Sequence, residues 1–300
     1  MQPTLKAALF SVLSNTILVA FKLIIGLMLS SVSVISEAIH SGIDLIASLI
    51  AAFSVKQSGK PADERHRYGH GKIENLSGTI EALLIFVAAI WIIVEAVKKF
   101  SSTQTHPDLG IGIAVMLFSG TANYFVSRYL FKVAKKHDSI ALHADAVHLQ
   151  ADVFTSYGVA IGLILMQITG LPWLDPVMAL LVAVLIINAA YNLTKEAVLP
   201  LLDENLPPEE EDEIIAIINS FSDHFLNFHK LRSRKAGSVR HIDLHLVVKR
   251  DQPLEAAHNL SHIISSAIKE KYPTAQILVH IEPCKDDYCD TCKICEPKRV

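Results

Sequence analysis

Long apolar runs separated by short polar connections fill the first two thirds of the chain. Three stretches, Leu109 to Ser127, Val153 to Leu174 and Pro176 to Leu193, contain no Asp, Glu, Lys or Arg. Roughly 20 apolar residues of α-helix cross a bilayer core of about 30 Å, so each stretch predicts a membrane-spanning helix. Three more runs are broken by a few ionisable residues: 7 to 29 around Lys22, 33 to 55 around Glu37, His40 and Asp44, and 75 to 97 around Glu81, with Glu95 at its end. Six spans result, and an even number puts both termini on one side. The first run begins too near Met1, and carries Lys22 too deep, to be a cleaved signal peptide.

The pattern changes near residue 200. The segment VLPLLDENLPPEEEDE (198–213) leaves the apolar region, offers Pro207 and Pro208 to open a helix and puts acids in its first turn, where the helix dipole favours them. Beyond it the periodicity predicts a helix over 209–220, a strand over 227–235 and a turn at Ala236-Gly237-Ser238. An alternating strand HIDLHLVV (241–248), a helix over 253–270 and a strand AQILVHIEP (275–283) follow. The expected fold is an all-α six-helix membrane domain over 1–200 followed by a small α+β (αββαβ) domain over 201–283, one sheet with two helices on it. Residues 284–300 form a Cys-rich tail. A unit of about 80 residues is marginal alone, so dimerisation or metal binding would help it.

Composition sharpens this picture. Of 300 residues 51% are apolar and 19% charged, which excludes a disordered or nucleic-acid-binding protein. The last hundred residues hold more than half of the charged side chains, so the water-soluble part lies there. Lys56, Lys60, Arg65, Arg67 and Lys72 lie between spans 2 and 3, and Arg128, Lys132, Lys135 and Lys136 between spans 4 and 5. Such basic loops face the cytoplasm, which places both termini there and the chain in the cytoplasmic (inner) membrane. No G-x-x-x-x-G-K-[ST] loop occurs, which disfavours an ATP-driven pump.

Ionisable residues at bilayer depth are expensive and mark function. His40 and Asp44 stand four apart in span 2, and His148 and Asp152 stand four apart at the start of span 5. Each pair shares a helical face. Brought together, two imidazoles and two carboxylates offer the tetrahedral N/O set that suits Zn²⁺. Each pair could instead be a buried His-Asp hydrogen bond; two such pairs in nearly charge-free spans favour the metal. In the tail, CKDDYCDTCKIC holds every cysteine of the chain, Cys284, Cys289, Cys292 and Cys295. A cytoplasmic side keeps them reduced, and thiolates so spaced are soft-metal ligands. A tail without metal is the alternative; if it binds, zinc capture is favoured over an iron–sulfur cluster.

SEAIHSGIDLIAS, KPADERHRYGHGKIENL and HADAVHLQADVFTSYGVAIG resemble the span 2, first-loop and span 5 signatures of the cation diffusion facilitator family, close to the bacterial YiiP-like zinc exporters. The resemblance implies a homodimeric antiporter, not an enzyme, that exports a divalent cation in exchange for protons, with His40, Asp44, His148 and Asp152 as its transport site. His40 stands where the YiiP-like members carry Asp, as in the zinc-selective branch. The resemblance implies a second metal site at Asp63, His66 and His70, in a loop that alone reads as a solvated basic connection. It also implies a Lys72–Asp203 interlock between the two domains. For the soluble domain it implies a metallochaperone-like fold and a binuclear metal site at His229, His245, His258, His280 and Glu282, with Glu282 where Asp is common, and Zn²⁺ as its regulatory ligand. His224, His241 and His262 match no ligand position and read as exposed or capping residues. The competing reading, from another functional class, is a membrane-bound zinc sensor that binds without transporting. A sensor has no need of ligands at bilayer depth, and a closed four-ligand site holds its ion too tightly for a channel.

Overall fold

Six helices occupy the first two thirds of the chain in the computed structural model, which describes residues 2–28, 32–100, 109–171 and 173–284. They are α1 (Pro3–Met28), α2 (Val32–Ser58), α3 (Lys72–Phe100), α4 (Leu109–His137), α5 (Ile140–Thr169) and α6 (Leu174–Val198). Five of them are long and apolar enough to cross a membrane. The fourth expected span falls on α4, 29 residues long, whose described residues include the buried Ser119, Asn123 and Ser127 and stay below that apolarity. α5 also departs from expectation. The charge-free window marks only its apolar part, whereas the helix itself starts where Ser139 Oγ accepts the Leu142 N–H at 3.4 Å. It stops at Gly170, which adopts φ 72° and returns its N–H to Met166 O. His148 and Asp152 therefore lie well inside a helix rather than at its start.

Small residues bring these helices close. Ala7, Ala8, Ala52, Leu130, Ala141 and Leu149 form one buried cluster among α1, α2, α4 and α5, and Ala82, Ile85, Ala144, Ala151, Val182 and Ile186 form another among α3, α5 and α6. α5 thus belongs to both. At Gly158 a Cβ would collide with Val182, so only glycine allows α6 this approach. The outer surface is apolar: Trp91 is 74% exposed and Phe125 67%, as lipid-facing side chains are. At one end, Glu74 of α3 accepts hydrogen bonds from Ser58 Oγ and Ser139 Oγ, each at 2.6 Å, and so ties α2, α3 and α5 together.

The chain divides into two compact units, Met1–Leu199 and Pro200–Val300. The second contains α7 (Pro208–Asn219), β1 (Asn227–Ala236), β2 (Val239–Val248), α8 (Leu254–Lys271) and β3 (Gln276–Pro283). The sheet order is β1-β2-β3, antiparallel between β1 and β2 and parallel between β2 and β3. The parallel pair needs a crossover, which α8 supplies. Along β2, Ile242, Leu244, Leu246 and Val248 are buried in one core with Ile214 and Ile218 of α7 and Leu260, Ile264 and Ile268 of α8. Each such side chain contributes about 1.5–3 kcal/mol of burial. Alternation sends Asp243, His245 and Val247 to the other face of the sheet. Asp203, in the left-handed region at φ 57°, pairs with Arg234 at 3.3 Å.

Candidate metal centres

α2 and α5 bring the four residues expected to bind metal close together. The ligand atoms of His40, Asp44 and Asp152 all lie within 4.8 Å of one another. His148 Nε2 stands 3.2 Å from Asp44 Oδ1. Tetrahedral zinc, with bonds near 2.1 Å, needs its ligand atoms about 3.4 Å apart, so small side-chain adjustments would close the set around an ion. Asp44 is 6% exposed and His148 5%, whereas His40 is exposed. Among the described residues, His148 Nδ1 and Asp152 Oδ2 are buried without a hydrogen-bond partner. Buried polar atoms are rarely left so, and a cation is one way to satisfy the carboxylate oxygen.

Further charged residues surround this centre. Lys22 of α1 is buried, donates to Ser41 Oγ at 2.8 Å and acts electrostatically on Asp152. Glu81 of α3 and Asp145 of α5 are wholly buried, within electrostatic reach of each other and of His148. Glu81 Oε1 accepts from Ser77 Oγ at 3.2 Å. In the sequence Glu81 reads only as an interruption of a span, and Asp145 is easily passed over. Its place three residues before His148 was the available signal, since that spacing shares a helical face. Glu74 gave no signal of its own, because its role depends on two serines distant in sequence.

In the connection between α2 and α3, Asp63, His66 and His70 form a second cluster with ligand atoms within 4.8 Å. His66 Nδ1 lies 3.4 Å from Asp63 Oδ1 and His70 Nε2 lies 3.3 Å from Asp63 Oδ2. Gly69, at φ 84°, turns the chain so that His70 comes back over Asp63. The backbone N–H of His66, then that of Arg65, hold the Asp63 carboxyl below its ordinary value, which keeps it an anion.

The third cluster spans the open face of the sheet. His245 pairs in register with His229 on β1 and with His280 on β3, so three imidazoles stand side by side. Glu282, two residues beyond His280, closes the group: its carboxylate is 2.6 Å from His245 Nδ1, 3.3 Å from His229 Nε2 and 3.7 Å from His280 Nε2. The His245 contact holds the Glu282 carboxyl below its ordinary value. His258 is not brought to this group. It lies on α8, whose Ala257 and Leu260 pack on the opposite, helix-covered side, and its ring stands 4.4 Å from that of His262. Of the tail ligands, Cys284 is buried at the end of β3, its N–H bonded to Val248 O at 2.9 Å. Cys289, Cys292 and Cys295 lie outside the described residues.

Residues 8–202 match the cation efflux transmembrane domain, and residues 206–284 match the cytoplasmic domain of cation efflux proteins. The cation-efflux pump FieF of Serratia proteamaculans is 34% identical over 278 residues, covering 93% of this chain and 92% of that protein. An uncharacterised transporter of Synechocystis, sll1263, is 34% identical over 256 residues, covering 85% of this chain and 83% of its own. A solved structure of CzrB in its Zn form, 38% identical, covers 27% of this chain and 92% of that one with a TM-score of 0.26.

Proposed function

The chain belongs to the cation efflux, or cation diffusion facilitator, family of metal-exporting membrane proteins; from that premise we propose that it exports Zn²⁺ from the cytoplasm in exchange for protons, as a homodimer in the cytoplasmic membrane with both termini inside. The observation that carries this reading is the convergence of His40, Asp44, His148 and Asp152 from two membrane helices onto one centre. Two imidazoles among four ligands favour borderline zinc over harder ions. Only a neutral imidazole ligates metal, so metal and protons compete for the same nitrogens. A site that opens alternately to the cytoplasm and to a more acidic exterior would load metal on one side and exchange it for protons on the other. α5, packed in both helical clusters of the membrane unit, is suited to carry such a movement.

The loop cluster Asp63, His66 and His70 would gather metal near the cytoplasmic mouth, and the sheet cluster His229, His245, His280 and Glu282 would sense cytoplasmic zinc. Calorimetry on a variant without the loop, sheet and tail ligands tests the central site. One Zn²⁺ per chain is expected to bind, and Asp44→Ala or Asp152→Ala to remove it. Undiminished binding in Asp152→Ala would show that the ion sits elsewhere.

A further inference from the structure

Lys22 sits within α1, 5% exposed, and its ammonium donates to Ser41 Oγ at 2.8 Å. Ser41 directly follows His40 and precedes Asp44 by three residues, so this tether ends on the α2 face that carries ligands. Asp152 of α5 lies within electrostatic reach of the ammonium. A lysine at bilayer depth is costly and persists where a partner or a function holds it. Beside a centre built for cations it is doubly out of place, since it repels the ion that the centre is made to hold.

We propose that Lys22 is the fixed counter-charge of the transport site, a residue that sets how tightly the site holds its metal. The proposal rests on the reading of His40, Asp44, His148 and Asp152 as that site. With neutral imidazoles, the empty quartet carries the two negative charges of Asp44 and Asp152, and a bound divalent ion cancels both. Counting Lys22, the empty and loaded states each carry a single charge, of opposite sign. Among the quartet and Lys22, with Glu81 and Asp145 beside His148 left out of the count, neither state then places two uncompensated charges in a low-dielectric interior, where such charges are most costly. The same ammonium repels the bound ion and holds its affinity below what four ligands alone would give. A carrier needs that, because an ion must bind well enough to enter and weakly enough to leave. Ser41 fixes the ammonium at a set position relative to the ligands, so the repulsion does not depend on a wandering side chain.

The test is the concentration dependence of Zn²⁺ flux in proteoliposomes carrying the full chain, Lys22→Gln, Lys22→Met or Lys22→Arg. Removing the charge is expected to lower KM by about tenfold or more and to lower kcat as release slows; Lys22→Arg should restore both. A merely structural role would raise KM or reduce the amount of folded protein, and would not tighten binding. Lys22→Met supplies an unbranched apolar side chain suited to burial, so the test stands if Lys22→Gln does not fold. Unchanged or higher KM in a folded charge-free variant would overturn the proposal. Wild-type flux that persists in Asp152→Ala would instead overturn the site reading, and the role of Lys22 with it.

Discussion

Exchanging one ligand at the membrane centre should change which ion is accepted before it changes whether the protein folds. His40 is exposed and its ring lies close to two carboxylates, so in the proposed site His40→Asp replaces a borderline nitrogen donor by a third hard oxygen. The expected outcome is flux extended toward Mn²⁺ or Fe²⁺ with Zn²⁺ retained, read by ion-by-ion uptake; an unchanged ion profile would count against His40 as a ligand. At this scale the sequence was informative wherever a residue's meaning lay in its own helix. The His40–Asp44 and His148–Asp152 spacings required only 3.6-residue periodicity. Glu74, Asp145 and Lys22 were harder to read because their significance lies in what they meet: Ser58 and Ser139, His148, and Ser41. His258 shows the converse. Within the single chain this position, carried over from a resemblance, is not brought to the group of His229, His245 and Glu282, because α8 packs on the other face of the sheet.

Elements were legible where period and burial agree. The alternation in β2 placed His245 opposite to Ile242, Leu244 and Leu246, and the observed register follows it. Helix ends were less legible in the membrane unit, where a charge-free window reports hydrophobic thickness while caps such as Ser139 and Gly170 set the true limits. The packing of α7 on α8 gives a prediction of its own. Glu213 of α7 accepts from Tyr272 Oη at 2.7 Å, and Lys271 Nζ lies 3.3 Å away. The Tyr272 hydroxyl, then Lys271, hold the Glu213 carboxyl below its ordinary value, while burial and Glu213 push the Tyr272 hydroxyl up. A depressed carboxyl stabilises the fold above its unfolded pKa of about 4.3, and that contribution is lost as pH falls through the depressed value. Glu213→Gln should therefore melt below wild type at pH 6, with the difference closing below about pH 4. A gap that does not narrow as pH falls below about 4 would assign the loss to packing rather than charge. Glu213 is exposed, so the difference should be small.

For the molecule as a whole, the division into an apolar helical part and a charged α+β part was visible in the distribution of charge alone. Family membership rests on matches that run through both units. What hydropathy could not supply is the meeting of α2 with α5, on which the proposed function depends. The sheet cluster predicts a whole-protein response: zinc that binds the folded form only stabilises it by mass action, about 2.7 kcal/mol at a hundred times Kd. Zn²⁺ should raise the melting temperature of the second unit, and His245→Ala, which removes the imidazole at the middle of that cluster, should abolish most of the rise. A shift of equal size in His245→Ala would place the responding zinc elsewhere. The central claim, that the four-residue membrane centre moves metal against protons, is tested most directly by Zn²⁺ flux into proteoliposomes under an imposed pH gradient. Flux is predicted to follow the gradient, reverse when the gradient is reversed and fall to background in Asp44→Ala and Asp152→Ala; flux indifferent to the gradient, or undiminished in Asp152→Ala, would contradict it.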